Sequence, residues 1–242
     1  MLYKVFQALK MTVGNKYIPK EHPKIDPKTG LKFQERKLSI AENLKKVNPM
    51  YSELDQSSYM NCGNCSIAFE ARMRGYDVTA LGNTQGMLIS NFGQFFKGFN
   101  ENSFHKVDID DIKDPVTKGK VVKDTIKSSI SKAYDGNARG CIFLTHEYGS
   151  HYFNWVKDGD NIEFYDGQNP KANIDALFSM YKRHTRSHSA CQTTFFRLDD
   201  LEINEQNIKN VIKNVGDNVN FHNSNFDPYV IKGENFVTNY VI

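Results

Sequence analysis

The spacing of apolar residues changes along this chain, and each change predicts a different element. Ser39-Ile40-Ala41-Glu42 reads as a capping box: the Ser39 hydroxyl can accept from the third helical amide while Glu42 reaches back. Ile40, Leu44 and Val47 then share one face, and Pro49 ends the helix. A second helix is predicted from Asn61-Cys62, with Ala68, Phe69, Ala71 and Met73 as its apolar surface and Gly75 as its stop. Tyr76–Leu81 suits a short strand, residues 82–120 carry no clear period, and Val122, Ile126, Ile130 and Ala133 predict a helix over 121–134. The period then drops to two. Gly140–Thr145, His151–Val156 and Ile162–Tyr165 read as strands, the last two joined at Asp158-Gly159-Asp160. Ile174, Leu177, Phe178 and Tyr181 mark a further helix, Phe195–Leu198 a further strand, and Asn204 caps a predicted helix carrying Ile208, Val211, Ile212 and Val215. Helices first and antiparallel strands later predict an α+β fold.

Proline and charge divide the chain. Pro19, Pro23, Pro27 and Gly30 stand among lysines in residues 1–37, which read as a basic extended arm, with a short ordered piece at Leu2–Val13. The body is expected over 38–216, and the Asn-rich residues 217–242 form a C-terminal extension. The arm holds nine Lys or Arg against Glu21, Asp26 and Glu35, an excess of six; the chain's net +3 therefore leaves the remainder at −3. Such an arm is a solvated extension or a contact for nucleic acid or an acidic partner.

With 39% hydrophobic and 24% charged residues in 242, the chain can bury a sizeable core. No apolar run is long enough for a transmembrane helix, so no membrane contact is expected, and the N-terminus lacks the features of a classical secretory signal. Four cysteines in this length are not a disulfide framework, which points to a reducing compartment.

The candidate chemistry begins with cysteine at a helix start, where the dipole and unpaired amides favour a thiolate. A buried cysteine is ordinarily a small hydrophobe, so the case depends on partners. His151 opens one hairpin strand and Asp166 follows the other. Setting Trp155 opposite Ile162 brings His151 opposite Asp166 on the same face, since both offsets are four residues. A helix-terminal Cys facing a His–Asp pair is a nucleophile with its base and orienting group.

Residues Asn61-Cys62-Gly63-Asn64-Cys65-Ser66 through Arg74-Gly75-Tyr76-Asp77-Val78-Thr79-Ala80 resemble the signature of the papain-fold toxin domain of bacterial polymorphic toxins and tailed-phage minor head proteins. Asn48-Pro49-Met50-Tyr51 matches a segment preceding that signature in the phage branch. The resemblance continues through Arg139-Gly140-Cys141-Ile142, Gly149-Ser150-His151-Tyr152-Phe153-Asn154, Phe164-Tyr165-Asp166-Gly167-Gln168 and Phe196–Leu201, covering about residues 45–215. Ser150 departs from the pattern, in which His often follows Gly directly.

The resemblance implies a papain-like fold and a Cys-His-Asp hydrolase, usually a glutamine deamidase, with peptidase and transglutaminase chemistry as neighbours. The Asn-Cys pair favours Cys62 as nucleophile. Cys62-Gly63-Asn64-Cys65 followed by Ala68-Phe69 is also similar to the papain peptidase segment, in which the second cysteine attacks, so Cys65 stays in play. Gln168 is a candidate for orienting His151 or donating to an oxyanion. The implied partner is a protein substrate or other virion proteins, in a phage virion or host cytoplasm. The alternative is a minor head or capsid-associated protein using the fold as an assembly module. Cys62, Cys65, His184, His188 and Cys191 have spacings that suit zinc, but the groups lie far apart in sequence, and no metal or cofactor is expected.

Overall fold

The computed structural model describes residues 24–83, 86–109, 112–146, 149–182 and 193–217. Helices α1 (Ile40–Val47), α2 (Gln56–Tyr59) and α3 (Cys62–Met73) come first, then strand β1 (Val78–Ala80), helix α4 (Phe92–Phe95) and short strands β2 (Phe96–Lys97) and β3 (Phe104–Lys106). The long helix α5 (Pro115–Ala133) leads into β4 (Ala138–His146), β5 (Gly149–Asp158) and β6 (Asn161–Tyr165). Helix α6 (Ile174–Ser179) and strands β7 (Thr194–Arg197), β8 (Glu202–Ile203) and β9 (Ile212–Asn214) follow. The chain is α+β. No helix among the described residues is long and apolar enough to cross a membrane.

Five strands form one antiparallel sheet in the order β3-β7-β4-β5-β6. Its side chains alternate between two cores. Cys141, Tyr152 and Phe196 meet Ile67, Ala68 and Phe69 of α3 on one face. Ile142, Phe153, Trp155 and Phe195 meet Val122, Ile126 and Ile130 of α5 on the other. Helix α3 is buried at every residue from Gly63 to Arg72, so it carries no single apolar stripe. Gly140 lets strands and ring close in: a Cβ there would collide with the Phe196 carbonyl oxygen and lie 2.6 Å from the Trp155 ring. The capping box of α1 forms as expected, Glu42 N donating to Ser39 Oγ at 3.3 Å and Ser39 N to Glu42 Oε2 at 2.9 Å.

Three expectations need correction. The helix anticipated after Asn204 is a single 3-10 turn, Ile208–Asn210, followed by β9, which pairs antiparallel with β1 from Val78–Asn214 to Ala80–Ile212. Ile208, Val211 and Ile212 are fully buried, and β1, which pairs with no other strand among the described residues, gives Ile212–Asn214 a ladder that outweighs their helical spacing. The β5–β6 register also differs: Trp155 faces Phe164 and Lys157 faces Ile162, because the chain reverses between Asp158 and Asn161. A shift of two residues keeps every side chain on its expected face.

Residues 24–37, placed within the arm, pack on the body. Leu31 is fully buried, Phe33 stacks on Tyr76 at 5.0 Å, and Tyr76 Oη donates to Asp26 Oδ2 at 2.7 Å. Gln34 Nε2 donates to Asn43 Oδ1, Arg72 O and Tyr76 O. Leu2–Val13 and residues 218–242 lie outside the described residues.

Candidate active site

A buried amide network fixes the start of α3. Asn61 stands at the N-cap of α3, but its side chain makes no capping bond. It turns inward instead. Its Oδ1 accepts from Asn48 Nδ2, Gln168 Nε2 and Cys65 Sγ, each at 3.3 Å, and its Nδ2 donates to Leu81 O at 3.1 Å. Asn64 Nδ2 donates to the same Leu81 carbonyl at 3.0 Å. The Asn61 side chain therefore leaves the first-turn amides uncapped, and Cys62 stands at this positive end. Met87 packs over this turn: a Cβ on Gly63 would lie 2.6 Å from Met87 Sδ, and Tyr152 Oη donates to Met87 O at 3.0 Å.

Asp166 and His151 meet as expected. His151 Nε2 donates to Asp166 Oδ2 at 3.0 Å, with both side chains largely buried at 12% and 6% exposure. Strand β6 ends at Tyr165 opposite Asn154, so the His151 ring lies beyond the last rung of that ladder. There it also hydrogen-bonds Cys62. Asp166 Oδ1 accepts from Gln168 N at 2.8 Å and Asn169 N at 3.3 Å, which fixes the carboxylate. Burial alone would lower the His151 pKa; the Asp166 carboxylate and the Cys62 sulfur override it and push it up to about 10. Both raising causes favour the protonated imidazole beside the Cys62 sulfur.

The two cysteines separate by environment. Cys62 is partly exposed and bonded to His151, whereas Cys65 is buried behind it and donates to Asn61. Burial, with Cys62 and Asp166 adding to it, pushes the Cys65 thiol well above its ordinary value. Cys141 is likewise buried and pushed up. Gln168 neither orients His151 nor is left to donate to an oxyanion: its Nε2 donates to Tyr59 O at 2.7 Å and to Asn61 Oδ1. It ties the Asp166 loop to the start of α3.

Sequence reasoning passed over several residues that hold this arrangement. Asn48 Nδ2 donates to Ser58 O and Gln168 O, both at 3.1 Å, and Tyr51 hydrogen-bonds Asn169, so the Asn-Pro-Met-Tyr segment clamps the Asp166 loop. Asn154 Nδ2 donates to Ser66 O at 3.1 Å, tying β5 to α3. Both asparagines stood inside quoted motifs, and that was their only signal.

The Arg-Gly-Tyr-Asp-Val block is structural. Arg74 Nε donates to Glu70 Oε1 at 2.8 Å, and Arg139 Nη2 to the same oxygen at 3.0 Å. Arg72 Nη1 donates to Asp77 Oδ1 and Val78 O. Burial would raise the Glu70 pKa, but the Arg139 and Arg74 guanidinium groups hold it below the usual carboxylate range.

Among the described residues, no three His, Cys, Asp or Glu side chains converge as a metal-binding group; His184, His188 and Cys191 lie outside them. A surface groove of about 320 Å³, lined by Lys46, Met50, Thr79, Lys213 and Val215 among others, holds none of Cys62, His151 and Asp166. Comparison with protein-family models, curated proteins and solved structures finds no match.

Proposed function

We propose that this chain is a papain-like cysteine hydrolase that deamidates glutamine side chains of proteins. The observation that carries this reading is the hydrogen-bonded line from Cys62 at a helix start, through His151, to a buried Asp166. The Cys62 sulfur attacks the side-chain carbonyl, and the uncapped first-turn amides of α3 receive the developing oxyanion. His151 donates its proton to departing ammonia, then takes one from the water that opens the thioester and leaves glutamate. Asp166 holds the imidazole in register throughout. A peptidase would expel a main-chain amine from the same intermediate, and a transglutaminase would admit an amine in place of water.

A diazoketone analogue of glutamine, presented within a peptide, tests this reading. Label should map to Cys62 and disappear in Cys62→Ala, with labelling at least about 10²-fold slower in His151→Ala. Label on Cys65 instead, or unchanged labelling without His151, would refute the assignment. With peptide substrates, a mass gain matching amide-to-acid conversion identifies deamidation, whereas cleavage or amine incorporation identifies the neighbouring chemistries.

A protein-sized partner is supported by Met50, Leu54 and Tyr59, which are 61%, 98% and 51% exposed on the segment leading into α3. The same residues favour the second reading, a phage head component that uses the domain for assembly. Fixed stoichiometry in purified particles would support that role, and recovery only in the soluble host fraction would oppose it.

A further inference from the structure

We propose that Cys62 and Cys65 form a reversible internal disulfide that closes the site under oxidation and spares the exposed sulfur from permanent damage. The disulfide needs only the two thiols, and its role as an off-switch rests on the hydrolase reading. Cys62 opens α3 and is partly exposed; Cys65 follows one turn later, buried at 1% exposure. The two sulfurs interact electrostatically, and Cys65 Sγ already points at an acceptor, Asn61 Oδ1. An exposed first cysteine with a buried second, in C-x-x-C spacing at a helix start, is an arrangement suited to thiol–disulfide chemistry.

The geometry is within reach. Helical residues three apart have Cβ atoms about 5–6 Å from one another, and a disulfide needs about 3.5–4.5 Å. The gap closes by tightening the first turn, where the amides before Cys65 have no intrahelical carbonyl to hold them; the bond from Cys65 N to Asn61 O is the first of the ladder. Cys141 also lies near enough to feel Cys62, but its Sγ donates to Ile142 O and it sits on β4 in the sheet, so bridging it would drag a central strand.

The oxidant is a hydroperoxide. The Cys62 thiolate attacks the outer peroxide oxygen and the O–O bond breaks. The leaving oxygen takes a proton from the His151 imidazolium, which leaves Cys62 as the sulfenic acid and releases water or an alcohol. The Cys65 sulfur, giving up its proton, then displaces hydroxide from the Cys62 sulfur, and proton and hydroxide depart as water. Two thiols are oxidised by two electrons and one peroxide is reduced.

Hydrogen peroxide acting on the full-length chain tests this. Both cysteines lie on one tryptic peptide, Val47–Arg72. Mass spectrometry should find that peptide lighter by two hydrogens, with iodoacetamide labelling of Cys62 lowered about tenfold or more and both changes reversed by dithiothreitol. In Cys65→Ser and Cys65→Ala, peroxide should instead add two or three oxygens to Cys62, beyond rescue by dithiothreitol. The wild-type mass stands as a test even where a variant folds poorly. Direct over-oxidation of Cys62 in the wild-type chain, or a link to Cys141 or Cys191, would overturn the proposal. If the linked peptide forms while the reduced chain ignores the glutamine diazoketone, the hydrolase reading falls and the disulfide stands; labelling without a linked peptide gives the reverse.

Discussion

Asp166 Oδ1 closes a turn by accepting from Gln168 N and Asn169 N, while Oδ2 accepts from His151. Turn residue and orienting residue are alternatives in the sequence, and one carboxylate does both here. Asp166→Asn should keep the turn, because an amide oxygen can still accept from those backbone groups. It removes the leading cause that raises the His151 pKa. The protonated imidazole in wild type is lost as pH rises through about 10, which sets the alkaline limb of Cys62 labelling or turnover. That limb should move to lower pH in Asp166→Asn, and a pH–rate profile reads the shift; an unmoved limb would show that Asp166 does not govern the imidazole. The sign carries over to stability. A raised pKa contributes stability that is complete below the unfolded value, about 6.5, and is lost towards pH 10.

At the scale of elements, β4 and β5 were legible as short apolar runs, because each strand places apolar side chains on both faces of a covered sheet. Helix α3 was legible from its ends rather than its stripe, since it is buried on every side. Strand β9 was misread because its β-branched residues fit a helical spacing as well as a ladder, and only the distant β1 decides between them. For the same reason the sequence brought out Cys62, His151 and Asp166 but not Asn48 or Asn154, whose roles come from carbonyl groups far along the chain. Gly140→Ala should destabilise by about 3 kcal/mol or more, because its methyl group meets a backbone carbonyl and an indole ring in the sheet. Gly63→Ala should cost less, about 1–3 kcal/mol: Met87 Sδ can swing aside, but Met87 Cβ, at 2.9 Å, must shift with its backbone. Urea titration orders the two, and equal losses would show that the sheet yields as readily as a methionine. Glu70→Gln leaves Arg74 and Arg139 without their shared buried charge, and a loss of about 3–5 kcal/mol is expected. Because the Glu70 pKa is lowered, its contribution is present above the unfolded carboxyl value and is lost as pH falls through the folded one. The deficit of Glu70→Gln should therefore shrink in acid.

Across the whole molecule, residues 24–37 clamp the end of α3 remote from the candidate site. Lys32 N donates to Asn214 Oδ1 on β9 at 2.7 Å, and Gln34 holds carbonyl groups of Arg72 and Tyr76, so this segment joins β9 to the last turn of α3. A chain beginning at residue 38 loses the burial of Leu31, worth about 1.5–3 kcal/mol, and hydrogen bonds worth about 1 kcal/mol each. Freed from ordering fourteen residues, it regains part of that loss as chain entropy. The expectation is a chain that unfolds at lower urea than one beginning at residue 24, measured with the two side by side. The candidate site gives an independent readout, because Cys62 stands at the opposite end of α3 and is fixed by Asn48, Asn61 and Gln168. Well below its transition, the shorter chain should therefore keep the wild-type rate of Cys62 alkylation while unfolding at lower urea. Equal stability would make residues 24–37 a passenger, and a slowed Cys62 in the folded shorter chain would show that the clamp reaches the site through the helix.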